Sequence, residues 1–290
     1  MSEIFWQSDT NFWTVIDGKI DTIELGTKTI AETEKCTPKG AYTTFRTYDG
    51  MGVLRLSKHM DRLEETARLA GYEIELDRDE MKGTLNAILG FTPSPSGPNF
   101  ERRVRVTIDL ERHIGRIYIA TEPLAVPASE KYEQGIICRT AEAHRDNPKA
   151  KLSSFLARAE EIRKEEQDPF DEILMVSPEG NLLEGLSSNF FGVIGNTVYT
   201  AEEGVLSGTT RDFILKCAAD LKIPVEFKPI KKNEIDNLDE AFISSTSRSI
   251  LPIRSIDGVM MKQSVPGPIT KRLMDQYEEE LSVNIEKVYD

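Results

Sequence analysis

Residues 182–211 hold the side chains in this chain that are best suited to chemistry. Glu184 is a carboxylate near the start of the segment, and small and hydroxylated residues separate it from Asn189. A predicted strand then leads into a glycine- and threonine-rich turn at residues 207–210, with a helix predicted from about Thr209. Such a turn leaves backbone N–H groups and hydroxyls at the positive end of a helix dipole. It predicts either an anion site or an ordinary helix N-cap, and the turn alone does not separate the two.

A second hydroxyl-rich turn, at residues 244–247, follows a predicted strand and is also suited to an anion. The first predicted helix adds a basic cluster that includes His59 and Arg62, which are three residues apart and share a helix face. Arg55 and Lys58 complete this basic cluster. Such clusters more commonly form a solvated basic face than a binding site, and the residues alone leave both interpretations open.

Two lysines, Lys149 and Lys151, come just before a helix that is predicted from Ser153. Lysines in such a place usually lie at the surface, but apolar neighbours such as Phe155 favour an inward side chain for Lys151. A lysine in an enclosed site can have a lowered pKa and can form a Schiff base with an aldehyde cofactor. Glu184 is then a candidate partner for a pyridinium nitrogen.

The composition of the chain limits which classes of protein and which binding partners are plausible. The chain has 290 residues, of which 39% are apolar, so it can bury a large core as one domain or two. The formal net charge of −13 argues against nucleic acid or an anionic membrane surface as the main partner. No secretory segment or long apolar run is seen, so we expect a soluble, cytoplasmic protein. Its three cysteines lack metal-site spacing and predict structural thiols and no metal site.

The N-terminal part of the chain alternates between strand and helix patterns and predicts a small sheet domain at residues 1–122. A linker is predicted at residues 123–128, where proline and alanine dominate. The predicted elements before the linker are, in chain order, strands at 13–16 and 21–25 around an Asp-Gly turn, a strand at 40–48, a helix from Ser57 with Gly71 as its C-cap, a helix at 79–89, a loop at 92–99, and paired strands at 104–110 and 116–121.

The C-terminal part, residues 129–290, predicts a larger domain, and the whole chain an α+β fold. Its predicted elements are, in chain order, a strand at 135–140, a loop at 144–148, a helix at 153–166, strands at 172–176 and 189–194, a helix at 211–221, a strand at 225–230, a short acidic helix, a strand at 240–244 and an amphipathic helix at 268–281.

Four motifs of this sequence resemble those of one known family, and they occur in the same order as in that family. They are R-L-x-x-H-x-x-R-L at residues 55–63, E-G-x-x-x-N at 184–189, L-x-G-x-T-R-D at 206–212 and S-T-x-x-x-I-x-P-I at 245–253. Residues 40–281 thereby resemble the fold-type IV pyridoxal-phosphate (PLP) enzymes, the class IV aminotransferases. This family includes branched-chain and D-amino-acid aminotransferases, (R)-selective amine transaminases and 4-amino-4-deoxychorismate lyase.

The resemblance implies a fold and a role for individual residues. The fold would be a small N-terminal α/β domain and a larger C-terminal pseudo-barrel domain in a homodimer. Lys151 matches the catalytic Schiff-base lysine, Glu184 the partner of the pyridine nitrogen, and Leu206 the residue on the ring face. The matches to the phosphate-binding positions are Arg62, Thr209, Thr210 and Thr246, with Ser245 and Ser247 beside them and His59 behind them. Ser154 replaces the asparagine that usually follows the lysine, so Lys149 remains a rival.

Substrate recognition is implied for one predicted strand and its neighbour. Tyr42 and Arg46 lie on the strand that supplies the substrate pocket in this family, and alternate residues of a strand share a face. Arg105 matches the arginine of the Tyr-x-Arg pattern of branched-chain enzymes, whereas Arg103 replaces its tyrosine. Ser247 joins these substrate-binding candidates. The arginines predict a site for carboxylates, such as the α-keto acids 2-oxoglutarate or pyruvate.

The sequence therefore predicts an aminotransferase acting on small-molecule amino acids and keto acids, with branched-chain substrates favoured over D-amino acids. The alternative within the family is the lyase, which uses the same cofactor to eliminate pyruvate. A threonine pair at Thr43–Thr44 is similar to one seen in some of the lyases and supports that alternative. A third, non-enzymatic interpretation is a PLP-binding protein without chemistry, which the presence of both Lys151 and Glu184 disfavours.

Overall fold

The computed structural model describes residues 10–16, 18–24, 29–91 and 100–289, so the predicted loop at 92–99 lies outside the described residues. The chain divides into two compact units. Unit 1 comprises Met1–Ala125, Ala150–Ser154 and Asn284–Asp290, and unit 2 comprises Val126–Lys149 and Phe155–Val283. Unit 1 is therefore assembled from three separate stretches of the chain.

Unit 1 is built on a five-stranded antiparallel sheet with strand order β2–β1–β6–β5–β3. A separate two-stranded ribbon pairs β4 with β16. The elements of unit 1 are β1 (Asn11–Ile16), β2 (Lys19–Thr22), α1 (Ile30–Thr33), β3 (Gly40–Arg46), β4 (Gly52–Leu54), α2 (Leu56–Leu69), α3 (Arg78–Phe91), β5 (Arg102–Asp109), β6 (Ile117–Pro123) and β16 (Ile285–Lys287).

Helix α2 covers one face of this sheet because its apolar residues recur every three or four positions. Met60 and Leu63 on that stripe are buried in one core with Phe45 of β3 and Val104 of β5. The helix ends where Gly71 takes a positive φ of 89°, a conformation that glycine adopts without steric cost. The predicted helix, its buried stripe and its glycine cap are thus confirmed.

Unit 2 contains a closed barrel. Its strands run β12–β11–β10–β13–β14–β7–β8–β9, and an additional β9–β10 pairing closes six of them into a ring. The elements of unit 2 are α4 (Ser129–Gln134), β7 (Ile136–Glu142), α5 (Ser154–Glu165), β8 (Glu172–Val176), β9 (Leu182–Gly185), β10 (Ser188–Ile194), β11 (Thr197–Tyr199), α6 (Thr209–Asp220), β12 (Val225–Glu226), a 3-10 helix (Lys232–Asn237), β13 (Glu240–Ser245), β14 (Ser249–Ile256), β15 (Val259–Met260) and α7 (Pro268–Asn284).

The barrel interior is filled by alternate residues of the six strands. Leu174 and Val176 of β8 pack there with Phe190 of β10 and Ile243 of β13. The predicted α+β class with a pseudo-barrel is confirmed. None of the helices in the described part of the chain is long and apolar enough to cross a membrane.

Two element predictions in unit 2 were wrong in detail. The strand predicted at 225–230 ends at Glu226, and Pro229, which has no N–H to donate to a sheet, lies in the stretch that follows it. The predicted acidic helix is a 3-10 helix, Lys232–Asn237. Neither change reaches the residues with candidate chemical roles.

Candidate active site

Lys151 is held by the main chain at the edge of the unit 1 sheet. Strand β3 is the last strand of that sheet, and residues 150–154 add to its free edge through a bridge between Ala41 and Leu152. The Tyr42 N–H donates to the Lys151 carbonyl at 3.0 Å, and the Ser153 N–H donates to the Gly40 carbonyl at 3.0 Å. The position of Lys151 therefore does not depend on its own side chain.

The Lys151 side chain turns toward an aromatic ring. Its Nζ lies 4.9 Å from the centre of the Tyr42 ring, and the Arg105 guanidinium lies 5.2 Å from the same ring. Tyr42 is only 4% exposed. On the helix side, the Lys151 N–H donates to the Thr66 hydroxyl at 3.2 Å. An amine next to a buried ring and a guanidinium is in a suitable environment for reactive lysine chemistry.

Part of the basic cluster on α2 is buried and bonded to β3. Arg62 Nη2 donates to the Thr43 hydroxyl at 2.7 Å, and Thr43 Oγ1 lies 2.8 Å from His59 Nδ1. The same Arg62 nitrogen is 3.2 Å from His59 Nδ1. His59 is 2% exposed, whereas Lys58 is exposed. The solvated-face interpretation is thus wrong for His59 and holds for Lys58.

Burial, reinforced by the charges of Arg62, Lys151 and Arg55, holds the pKa of His59 well below its usual 6.5. The imidazole is therefore neutral, and its Nδ1 is hydrogen-bonded with the Thr43 hydroxyl. A neutral His59 can orient Arg62 without repelling it, which a charged imidazolium would do.

This depressed pKa predicts a pH dependence of stability. Below about pH 6.5, His59 is protonated in the unfolded chain but not in the folded chain. Lowering the pH therefore favours unfolding. We expect the free energy of unfolding to fall by up to about 1.4 kcal/mol per pH unit from this group as the pH is lowered from about 6.5 toward the lowered pKa of His59 in the folded chain. Urea unfolding at several pH values measures the slope.

His59→Gln should remove that part of the slope, because glutamine does not titrate. His113→Gln is the matched control, since His113 is exposed and should leave the slope as it is. Equal slopes in the wild type and His59→Gln would contradict a neutral buried His59.

Glu184 is the centre of a second cluster, in unit 2, and is 2% exposed. Its Oε1 accepts a hydrogen bond from Arg145 Nε at 2.7 Å. Its Oε2 accepts from Asn189 Nδ2 at 2.9 Å and from the Leu206 N–H at 3.1 Å. Strand pairing explains part of this, because Glu184 and Asn189 are direct partners on β9 and β10. The carboxylate is buried, ion-paired and held in orientation by these hydrogen bonds, as a partner for a cationic ring nitrogen must be.

Arg145 is a site residue that the sequence did not reveal. It is buried, ion-paired with Glu184, and its guanidinium carbon lies 3.7 Å from the centre of the Phe155 ring. The sequence shows only a single arginine in a polar loop, with no pattern around it. Asn189 was visible in the E-G-x-x-x-N motif, but its role in joining Glu184 to the Leu206 carbonyl appears only in the structure.

The turn before α6 has the geometry of an anion site. Gly208 is the N-cap of α6 and, as a glycine, makes no side-chain cap bond at the start of this 12-residue helix. The side chains of Thr209 and Thr210 are mostly buried at this end. A Cβ at position 208 would collide with Asn189 Oδ1, so glycine is required there for steric reasons. The structure thus shows Gly208 as the helix N-cap, and the anion site at this turn stays a prediction.

A buried hydroxyl lies in the same row as Glu184. Ser244 of β13 pairs with Asn189, so both residues and Glu184 face the same side of three adjacent strands. Ser244 Oγ is buried and has no hydrogen-bond partner among the described residues. A buried unsatisfied hydroxyl beside an oriented carboxylate and an open helix terminus fits an anionic aromatic ligand such as pyridoxal phosphate. The next residues, Ser245, Thr246 and Ser247, begin the β13–β14 turn and are half-buried.

The three candidate substrate arginines of unit 1 differ in their partners. Arg46 is ion-paired with Glu101, and Arg103 with Glu122 at 2.9 Å. Arg105 is 7% exposed, and within the described structure its Nε and Nη1 have no hydrogen-bond acceptor. The Glu34 carboxylate lies 3.7 Å from Arg105 Nη1 and forms a long ion pair with it. Burial lowers the pKa of Arg105 from its usual value.

All three arginines lie on one face of the sheet. Arg103 and Arg105 of β5 pair directly with Arg46 and Thr44 of β3, and Tyr42 follows in the same alternating row. The other face carries the apolar core beneath α2. The expectation that alternate residues of β3 face one side together is confirmed. Among the described residues, Arg105 has two buried nitrogens, Nε and Nη1, without an acceptor, whereas Arg46 and Arg103 each have one, Nε.

Comparison with protein families and characterised relatives gives a consistent result. Residues 40–256 match the family model described as amino-transferase class IV. The chain is 28% identical over 251 residues to a probable branched-chain-amino-acid aminotransferase of Thermotoga maritima, covering 84% of this chain and 87% of that protein. It is also 28% identical over 243 residues to a D-alanine aminotransferase of Bacillus licheniformis, covering 81% and 84%.

Solved structures share the fold. A crystal structure of a putative branched-chain amino acid aminotransferase from Thermotoga maritima has a TM-score of 0.76 at 24% identity, covering 94% of this chain and 96% of that one. A branched-chain aminotransferase from Thermobaculum terrenum, crystallised in its PLP form, has a TM-score of 0.73 at 23% identity, covering 97% and 98%.

Proposed function

The chain belongs to the class IV amino-transferase family, and we propose on this basis that it transfers an amino group between an α-amino acid and an α-keto acid with pyridoxal 5′-phosphate as cofactor. The observation that carries the proposal is the Lys151 side chain, which extends from a main-chain anchor toward the buried Tyr42 ring. The buried Glu184 carboxylate supplies the second group that this chemistry requires.

When bound, the cofactor supplies an aldehyde for the amino group and a ring that takes up the electron pair left by Cα deprotonation. Lys151 Nζ would hold the cofactor through its aldehyde group and, when free, would hold the proton taken from Cα and return it. Glu184 keeps a proton on the ring nitrogen. Arg145 and Asn189 hold the Glu184 carboxylate in orientation, so that it does not have to reorganise during the reaction.

Other residues of the chain bind and orient. In unit 2 we assign the phosphate to the N-terminus of α6 and to the Thr209, Thr210 and Thr246 side chains, with Ser245 beside them. The family resemblance implies Arg62 of unit 1 as a further phosphate-binding residue. Leu206 would lie on the ring face, as the family resemblance implies, and its own N–H donates to Glu184. His59 orients Arg62 as a neutral imidazole.

For the substrate we favour branched-chain L-amino acids, because relatives from Thermotoga maritima, Pseudomonas aeruginosa and Methanocaldococcus jannaschii carry the name of branched-chain aminotransferases. A D-amino acid is the second candidate, supported by the D-alanine aminotransferase at equal identity. The lyase alternative is not favoured, because the family model and these relatives are aminotransferases. We also propose a homodimer, as the family resemblance implies, and a cytoplasmic setting that suits the free thiols.

The experiment that tests the function is a half-reaction titration of the cofactor-loaded protein with single amino donors. L-leucine, D-alanine and (R)-1-phenylethylamine are added separately, and the visible absorbance of the bound cofactor is followed. Rapid loss of that absorbance with L-leucine is the expected result. Rapid loss of absorbance with D-alanine alone would identify D-amino acids as the substrates instead. If no donor changed the absorbance and the protein released pyruvate from aminodeoxychorismate, the lyase function would be supported.

Arg105 should bind a carboxylate of the keto-acid acceptor, since its guanidinium is buried with unused donors. Removing a hydrogen bond to a charged group costs about 1.5–3 kcal/mol, so Arg105→Met should raise KM for 2-oxoglutarate roughly 10- to 100-fold. Steady-state kinetics with 2-oxoglutarate and with pyruvate measures this. The effect should be larger for 2-oxoglutarate, which has a second carboxylate.

Arg103→Gln is the matched control, because Arg103 already has Glu122 as its partner. We expect its KM values to stay within about twofold of the wild type. An unchanged KM for both acceptors in Arg105→Met would exclude Arg105 from the acceptor site.

A further inference from the structure

Arg248 occupies the turn that joins β13 to β14, directly after Thr246 and Ser247. Ser245 and Ser249 are paired across the hairpin, and the Arg248 N–H donates to the Ser245 carbonyl at 3.2 Å. Ser249 has a positive φ of 51°, an unfavourable conformation for a residue with a Cβ, and it completes the tight turn. The conformation of Thr246 and Ser247 is thus set by a short loop whose last residue is strained.

The Arg248 side chain ties this turn to two other parts of the barrel. Its Nε donates to Ser245 Oγ at 2.9 Å. Its Nη2 donates to Glu172 Oε2 at 2.8 Å and to Ser187 Oγ at 2.9 Å. Ser187 lies in the turn between β9 and β10, and Glu172 begins β8. One guanidinium therefore connects the β13–β14 turn, the β9–β10 turn and the end of β8.

Glu172 is a buried anchor at the end of the barrel interior. It is 2% exposed, and Leu174 and Val176, two and four residues further along β8, belong to the barrel core. The hydroxyls of Ser187 and Ser188 donate to Glu172 Oε2 at 2.8 and 3.0 Å. Burial alone would raise the pKa of the Glu172 carboxyl, but the Arg248 charge and the hydrogen bonds from Arg248 and Ser187 hold the pKa below its usual value.

A buried ion pair of this kind is a poor source of net stability, because desolvation of the two charges offsets their attraction. Its directional hydrogen bonds do restrict geometry, and a planar guanidinium fork restricts it more than an ammonium would. An anion-binding turn needs such restriction, since displacements of about 0.5 Å weaken a preorganised site. The Glu172–Arg248 pair is placed where it can supply that restriction.

We infer that Arg248, anchored on Glu172, is a positioning residue that holds the Ser245–Ser247 turn in the conformation that binds the cofactor phosphate. This inference rests on the proposed function and adds a role for Arg248. The family resemblance assigned no role to this residue, which occupies an unspecified position of the fourth motif. Because Arg248 acts through the turn, its loss should weaken recognition of the phosphate group and leave recognition of the cofactor ring and aldehyde unchanged.

The test compares two ligands that differ only in the phosphate. The apoprotein is titrated with pyridoxal 5′-phosphate and, separately, with pyridoxal, and the dissociation constants are measured from the absorbance change on binding. In Arg248→Gln we expect the dissociation constant for pyridoxal phosphate to rise about tenfold or more, and that for pyridoxal to stay within about twofold. Glu172→Gln should behave similarly, and Arg248→Lys should lie between, since lysine keeps the charge without the fork.

Arg139→Gln is the matched control, because it removes another arginine of the barrel, whose ion pair is with Asp168 and not with the turn. Its two dissociation constants should match the wild type. An equal loss for both ligands in Arg248→Gln, or no loss for either, would overturn the positioning role. A wild-type protein that binds both ligands equally would instead overturn the phosphate assignment of the proposed function, and the inference with it.

Discussion

Replacing Lys151 with alanine should abolish turnover while leaving the fold intact. Lys151 attaches the cofactor and moves the substrate proton, and a positioned acid–base group contributes on the order of 10²- to 10⁴-fold, so we expect kcat to fall by about 10⁴-fold or more. The visible absorbance of the lysine-bound cofactor should disappear as well. The hydrogen bonds that anchor Lys151 to Tyr42 and Thr66 are made by its main chain and persist in alanine.

The measurements are kcat with the preferred amino donor, the absorbance spectrum and the midpoint of urea unfolding. Lys149→Ala is the matched control, since Lys149 is an exposed lysine two residues away and is the rival assignment. We expect it to keep the wild-type spectrum and turnover. If Lys149→Ala lost both and Lys151→Ala kept them, the assignment of the Schiff base would have to move to Lys149.

Replacing Glu184 should cost turnover through the loss of its charge. A glutamine has nearly the same shape but does not hold a proton on the ring nitrogen, so Glu184→Gln should lower kcat on the order of 10²-fold or more. The binding of the cofactor should change much less than kcat. Half-reaction rates with saturating cofactor separate these two effects.

Glu184→Ala should lose stability in addition to turnover, because it leaves the Arg145 guanidinium buried without its carboxylate. Breaking a buried pair in this way typically costs about 3–5 kcal/mol. The double variant Glu184→Ala/Arg145→Met should recover much of the free energy of unfolding and none of the turnover. Recovery of turnover in that double variant would show that Glu184 only balances the charge of Arg145.

Glu240→Gln provides the matched control for a buried glutamate in the same unit. Glu240 accepts the Ile269 and Thr270 amides at the start of α7, so its replacement should lower stability. Its turnover per folded molecule should equal that of the wild type. A loss of kcat as large as that of Glu184→Gln would mean that the effect comes from the fold and not from the ring nitrogen.

Several features followed from local patterns in the sequence. The stripe that contains Met60 and Leu63 predicted α2 because helix periodicity is a property of neighbouring residues. The glycine- and threonine-rich turn before α6 and the serine-rich turn after β13 were recognised as anion-suited for the same reason. The four motifs identified the family resemblance, and that resemblance assigned roles to Lys151 and Glu184.

Other features depended on contacts between residues far apart in the chain. The sequence did not show that residues 150–154 join the edge of β3, because that bridge links positions more than a hundred residues apart. Closure of the barrel by β9 and β10 likewise depends on which strand edges remain free once the others have paired. Such pairings are decided by the whole sheet and leave no local pattern.

The sequence also did not predict the electrostatic differences between residues of the site. The sequence did not show how far the partners of Arg46, Arg103 and Arg105 differ. Arg46 and Arg103 are hydrogen-bonded to carboxylates of other segments, whereas Arg105 lies 3.7 Å from its carboxylate and keeps two donor nitrogens without an acceptor in the described part of the chain. Arg145 likewise acquires its role only from the fold, because its partner Glu184 lies 39 residues further along the chain. Residue types and short spacings determined which chemistry this protein can carry. Burial and long-range pairing, which no local pattern encodes, decided which of those side chains are oriented and available to perform it.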